Sequence, residues 1–174
     1  YNKQEYRKQL GIVLQTPAIF SGTIKSNVTM EREVSDDEVI NALNQVGAGY
    51  LVTKYKDGIH TKVAFRGENL SLGEKQLISF ARIILRNPKV LVLDEATANI
   101  DTETEERIKH SIDVIAKNRT TFIIAHRLST IKNADKIIVL DKGRLVGIGL
   151  HDDLYDTCDI YKDMYDSQFK RKTA

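Results

Sequence analysis

The chain has 174 residues, 41% hydrophobic and 29% charged, enough for one globular core and too few for two. That balance excludes a disordered or collagen-like polymer. Its 26 Lys and Arg against 24 Asp and Glu leave a formal net charge of +2, too small to imply a nucleic-acid partner by electrostatics alone.

The first residues, Tyr1 to Gln9, are charged and polar and do not read as a signal peptide. There is no starting Met, which fits a piece of a longer polypeptide. Ile12 to Leu14 is a strand candidate. Residues 23–86 read as mostly helical. Ser35-Asp36-Asp37-Glu38 is a capping box, in which hydroxyl and carboxylate each satisfy a free backbone N–H, with Val39, Ile40, Leu43 and Val46 as the apolar face behind it. Gly47 can end that helix. A second box, Ser71-Leu72-Gly73-Glu74, precedes Leu77, Phe80, Ala81, Ile84 and Leu85 on one face, and Pro88 stops the helix.

Three short β-branched runs follow, Lys89 to Leu93, Thr120 to Ala125 and Lys136 to Leu140. They are apolar without alternation, as strands covered on both faces of a parallel sheet tend to be. Between the first two, the acidic start Asp101 to Glu105 and then Ile108, Ile112 and Ile115 predict a helix with a buried stripe. Strand, helix, strand in this order is a βαβ unit with right-handed crossover. Asp141-Lys142-Gly143-Arg144 predicts a tight turn into Leu145 to Ile148, a hairpin added to the sheet. These runs fall well short of the roughly 20 apolar residues of a bilayer-spanning helix. The single cysteine, Cys158, allows no intrachain disulfide and fits a reducing compartment.

The most informative segment is Val90-Leu91-Val92-Leu93-Asp94-Glu95, an apolar strand ending in two adjacent carboxylates. Ligands of open α/β sheets sit at that edge. One carboxylate there can hold Mg²⁺ through water and the next can orient a water for attack on a phosphoryl group. The same six residues also describe a plain strand followed by an acidic helix cap. Ser71 is a helix cap whose neighbouring N–H groups also make an anion site. Gln15 alone could be loop punctuation, His126 a turn histidine, and Asp101 the N-cap of the next helix.

Taken together, the ordered set resembles the nucleotide-binding domain of ATP-binding cassette (ABC) transporters, most closely the exporter type. Gln15 before Phe20-Ser21-Gly22-Thr23-Ile24 is similar to the Q-loop and its exporter continuation, and Leu70-Ser71-Leu72-Gly73-Glu74 to the signature loop. Val90 to Glu95 resembles the Walker B strand, Ala98-Asn99-Ile100-Asp101 the D-loop, and Ile124-Ala125-His126-Arg127 the switch histidine. The resemblance covers roughly Arg7 to Asp153.

It implies an α/β fold: a P-loop NTPase (RecA-like) core with a partial parallel sheet and an inserted, mainly α-helical signature subdomain. Residues 1–22 would be the Q-loop segment, 23–86 the helical subdomain and 87–174 the C-terminal part of the core. It implies ATP and Mg²⁺, with Glu95, His126 and Gln15 catalytic, and Asp94 and Gln15 serving the metal. Ser71, Gly73, Glu74 and Asp101 would contact nucleotide. The implied partners are a second nucleotide-binding domain, identical or not, and the transmembrane domains of an exporter, at the cytoplasmic face of the cell membrane; no nucleic acid is expected.

The phosphate-cradling pattern G-x-x-x-x-G-K-[ST] does not occur in the 174 residues. The chain therefore reads as the C-terminal portion of such a domain, inactive alone, with unpaired sheet edges and exposed apolar surface. Leu72 stands where the family most often has Gly, and Glu74 where it has Gln. Thr61 to Gly67 resembles the loop that meets the transmembrane coupling helices, with Phe65 at a commonly acidic position. Two other classes fit parts of the pattern. The structural-maintenance ATPases of chromosomes share the signature loop and Walker B strand but flank them with coiled coil, and no heptads run here. A non-catalytic interaction module built on this fold would tolerate the missing phosphate loop.

Overall fold

A computed structural model describes residues 2–94, 102–125 and 132–170. The chain forms two compact units, Tyr1–Ile124 and Ala125–Ala174, each with a core of its own, which corrects the expectation of a single core.

In the first unit, helix α1 (Lys3–Lys8) leads into strand β1 (Leu10–Val13). Strand β2 (Gly22–Thr23) and helix α2 (Ile24–Thr29) follow, then α3 (Asp36–Gln45) and α4 (Tyr50–Lys54). Strand β3 (Lys62–Val63) pairs antiparallel with β2. The long helix α5 (Leu72–Arg86), strand β4 (Val90–Asp94), helix α6 (Thr102–Ala116) and strand β5 (Thr120–Ile124) complete it.

Both expected capping boxes form. Ser35 Oγ accepts from the Glu38 N–H while the Glu38 carboxylate accepts from the Ser35 N–H, and Ser71 and Glu74 repeat the arrangement. Each such cap stabilises its helix by about 1 kcal/mol. Gly47, at φ +67°, follows α3 in the left-handed region that an L side chain rarely adopts. α5 ends on Asn87, itself left-handed at φ 46°, whose N–H bonds the Ile83 carbonyl. Pro88 then prevents continuation.

The sheet order is β1-β4-β5, all parallel, with Val13 paired to Leu93 and Asp94 to Ile124. Val13, Leu91 and Leu93 join Leu77, Ile78 and Phe80 of α5 and Ile108, Ile112 and Ile115 of α6 in one core. Each fully buried aliphatic or aromatic side chain contributes roughly 1.5–3 kcal/mol over exposure. The opposite face is open: Ile12, Phe122 and Ile124 are each 54% exposed. Within this chain the expected covering on both faces is not seen, and the exposed apolar surface that the sequence also predicts is. Burial alternates along β4 and β5 because the helices pack one side only.

In the second unit, β6 (Ile137–Asp141) and β7 (Arg144–Gly149) form an antiparallel hairpin followed by α7 (His151–Thr157) and α8 (Asp159–Lys170). The turn at Lys142 and Gly143 has positive φ at both residues, 47° and 77°, as a two-residue hairpin turn demands. The run at 136–140 is thus a hairpin strand in a separate two-stranded sheet, which corrects its reading as a parallel strand and the hairpin's placement in the main sheet. Ile137, Val139, Leu154, Cys158 and Tyr161 make its core. No helix among the described residues is long and apolar enough to cross a membrane.

Candidate functional site

Parallel pairing brings the carboxyl ends of β1, β4 and β5 to one edge of the sheet. Gln15 lies in a bend two residues beyond Val13, exposed to solvent. Val13 is paired with Leu93, so Asp94 ends the neighbouring strand at nearly the same height. Asp94 is half-buried. Beside it β5 ends at Ile124. The structure thus brings Gln15 and Asp94 to one edge. Glu95, Asp101 and His126 lie outside the described residues. A side-chain amide oxygen and a carboxylate on adjacent strand ends are hard oxygen donors, the kind Mg²⁺ takes when phosphate and water complete its shell.

The second group sits at the start of α5. Ser71 is exposed and its Oγ accepts from the Glu74 N–H at 3.2 Å. The N–H groups of Leu72 and Gly73, in the first turn, have no acceptor within the helix by construction, and the helix dipole adds positive charge there. Leu72 is 39% exposed, with its side chain at the surface. Gly73 is buried against α6, where a Cβ would overlap the Thr104 methyl group. Its lack of a side chain serves close helix packing here.

Glu74 is turned into the protein, its side chain 3% exposed. Its Oε2 accepts the Ser71 N–H at 2.8 Å and its Oε1 binds Lys54 Nζ at 2.6 Å. The Tyr55 hydroxyl lies 3.3 Å from Oε2. The bond to Glu74 holds the Lys54 ammonium above its ordinary pKa. Burial first, then the Glu74 charge, raises the Tyr55 phenol.

Two further residues that position the segment after Gln15 escaped the sequence reading. Arg82 of α5 donates to the carbonyls of Asn27 at 2.5 Å and Ala18 at 2.6 Å. Asn27, buried in α2, accepts from the Phe20 N–H at 2.9 Å and donates to the Phe20 carbonyl at 2.8 Å. Together they fasten the segment after Gln15 to the helix that Ser71 caps. Burial lowers the Arg82 guanidinium to about 10, still charged at neutral pH. Asn27 and Arg82 are 55 positions apart, and no local spacing announces such a pair. On the loop likened to the coupling contact, Phe65 is 65% exposed, with the Arg66 guanidinium 5.1 Å from its ring centre.

Residues 1–98 match the family model of the ABC transporter. The "Probable multidrug resistance ABC transporter ATP-binding/permease protein YheH" of Bacillus subtilis is 52% identical over 172 residues, 98% of this chain and 26% of that protein. The "Multidrug resistance-like ATP-binding protein MdlB" of Buchnera aphidicola is 43% identical over 162 residues, 93% of this chain and 28% of that protein. Among solved structures, a bacterial Atm1-family ABC exporter with ATP bound superimposes with a TM-score of 0.83 at 41% identity, over 93% of this chain and 28% of that one. The chain spans about a quarter of the length of these two relatives. The α/β fold and these likenesses agree: the chain belongs to the ABC transporter family.

Proposed function

We propose that this chain is part of the ATP-hydrolysing domain of an ABC exporter and that closure of a head-to-tail dimer of such domains drives the transmembrane change. The observation that supports the reading is the common edge of the paired strands β1 and β4, where Gln15 follows the end of β1 by two residues and Asp94 ends β4. In this reading Glu95, next after Asp94, takes the proton of the attacking water. His126 holds the γ-phosphate and pairs with Glu95. Gln15 orients the water, and with Asp94 it holds Mg²⁺. When bound, that ion neutralises charge on the phosphates. Ser71 and Gly73, with the N-terminal end of α5, grip the phosphate of ATP carried by the opposite domain, and Asp101 contacts across the dimer. The domain works at the cytoplasmic face of the membrane, and the loop of Phe65 meets the transmembrane part.

The test is Glu95→Gln in the full-length transporter. Turnover falls by ~10²–10⁴-fold, the usual worth of a general base, while ATP-driven dimer closure persists. Near-normal turnover moves the catalytic role elsewhere. The isolated 174-residue chain, which has no phosphate-loop pattern, is expected to show neither hydrolysis nor, in a calorimetric titration, tight Mg-ATP binding. Micromolar affinity overturns that part of the reading.

A further inference from the structure

The first turn of α5 contains a conflict. A carboxylate at the third helical position suits the helix dipole and completes the cap. The same negative charge, in the same turn as the N–H groups assigned to a phosphate, repels that phosphate. Glu74 occupies that position, and its side chain is 3% exposed. Burial deprives its charge of the water that would otherwise screen it.

Lys54 stands against it. This last residue of α4 comes from a separate helix, 20 positions upstream, and reaches Glu74 Oε1 at 2.6 Å while remaining half-exposed. Oε2 is engaged by the Ser71 N–H at 2.8 Å, and the Tyr55 hydroxyl lies within 3.4 Å of both oxygens. The Lys54 Nζ also lies 5.2 Å from the Tyr55 ring centre, which steadies the ammonium. The carboxylate is therefore anchored on three sides and paired with one full positive charge.

We propose that Lys54 is a positioning residue of the ATP clamp: it cancels the charge of Glu74 and keeps that carboxylate in the cap, so that the Ser71–Gly73 turn receives a phosphate without repulsion. This rests on the assignment of that turn to ATP under the proposed function. The role acts through Glu74, and Lys54 touches no substrate in it.

The experiment uses the full-length transporter and four variants, Lys54→Met, Glu74→Gln, the double variant and Ser71→Ala, with KM for Mg-ATP, kcat and thermal midpoint measured for each. Lys54→Met, which keeps the apolar stem, raises KM by about tenfold, the scale of one uncompensated charge at short range in a partly buried site. Glu74→Gln, which keeps the cap, leaves Lys54 unpaired and lowers KM below that of the parent. The double variant returns KM to the parental range, whereas a merely structural contact predicts a fall in thermal midpoint with KM unmoved. Where Lys54→Met alone does not fold, Glu74→Gln and the double variant decide: equal KM values overturn the proposal. So does a double variant as impaired as Lys54→Met. If Ser71→Ala raises KM and Lys54→Met does not, only the role of Lys54 falls. If Ser71→Ala leaves KM unmoved, the clamp assignment itself falls, and this proposal with it.

Discussion

Two hydrogen bonds join Arg82 to Asn27: the Arg82 Nε donates to the Asn27 carbonyl at 2.5 Å and Nη2 to the Asn27 Oδ1 at 3.0 Å, while Nη1 donates to the Ala18 carbonyl at 2.6 Å. One planar guanidinium serves three acceptors on two segments, a geometry that a lysine's single ammonium cannot reproduce. Arg82→Ala removes all three bonds, leaving the Asn27 Oδ1 with only its bond from the Phe20 N–H. Hydrogen bonds to charged groups are worth ~1.5–3 kcal/mol each, and the cost to stability is about 2–4 kcal/mol by urea unfolding. Arg82→Lys recovers less than half. A loss under about 1 kcal/mol for the alanine variant would show that water replaces the guanidinium freely.

Gly73 meets α6 where its Cβ would overlap the Thr104 methyl group. Gly73→Ala forces that side chain aside and costs about 1–3 kcal/mol, as overpacking does. Removing the obstacle with Thr104→Ala in the same chain restores most of the loss, measured as a thermal midpoint. Equal damage in both backgrounds would place the strain in the α5 backbone.

The start of α3 is sensitive to acid. A hydrogen bond from Lys25 first, then one from His60, holds the Asp36 carboxyl below its ordinary value of 3.8. The Ser35 hydroxyl, then its backbone N–H, does the same for Glu38, whose ordinary value is 4.5. A depressed folded pKa means that these contacts contribute fully above the ordinary value and are lost as pH falls through the folded one. Asp36→Asn therefore lowers the thermal midpoint at neutral pH, and the difference from the parent closes below pH 3.8, the ordinary value. A difference that persists unchanged into strong acid would assign the effect to packing.

Leu72 is 39% exposed at the first helical position and its φ is not positive, so the backbone there does not require glycine. Leu72→Gly costs up to ~1 kcal/mol of helix stability. Losing the side chain lets a phosphate approach the backbone more closely. In the full-length protein the variant shifts the Mg-ATP dependence of dimer formation more than it shifts the thermal midpoint without nucleotide. Equal ATP dependence in both proteins would make Leu72 a tolerated variation.

Periodicity and capping were legible in the chain because they are local. Ser35 and Ser71, each three residues before a glutamate, defined the starts of α3 and α5, and Ile108, Ile112 and Ile115 marked the buried stripe of α6. The strand ends bearing Gln15 and Asp94 were legible too, since an apolar run that stops at a polar residue marks its own edge. Tertiary structure alone decided which strands pair. Lys136 to Leu140 is as apolar as the parallel strands, yet it forms an antiparallel hairpin, because the Lys142-Gly143 turn supplies a local partner. Composition likewise could not tell a strand covered on two faces from one covered on one, since Ile12, Phe122 and Ile124 are apolar and exposed. The contacts of Lys54 with Glu74 and of Arg82 with Asn27 join residues 20 and 55 positions apart. Charge and hydrogen-bonding capacity are visible in a sequence, but a partner is chosen by distance in space, and only the folded chain supplies that.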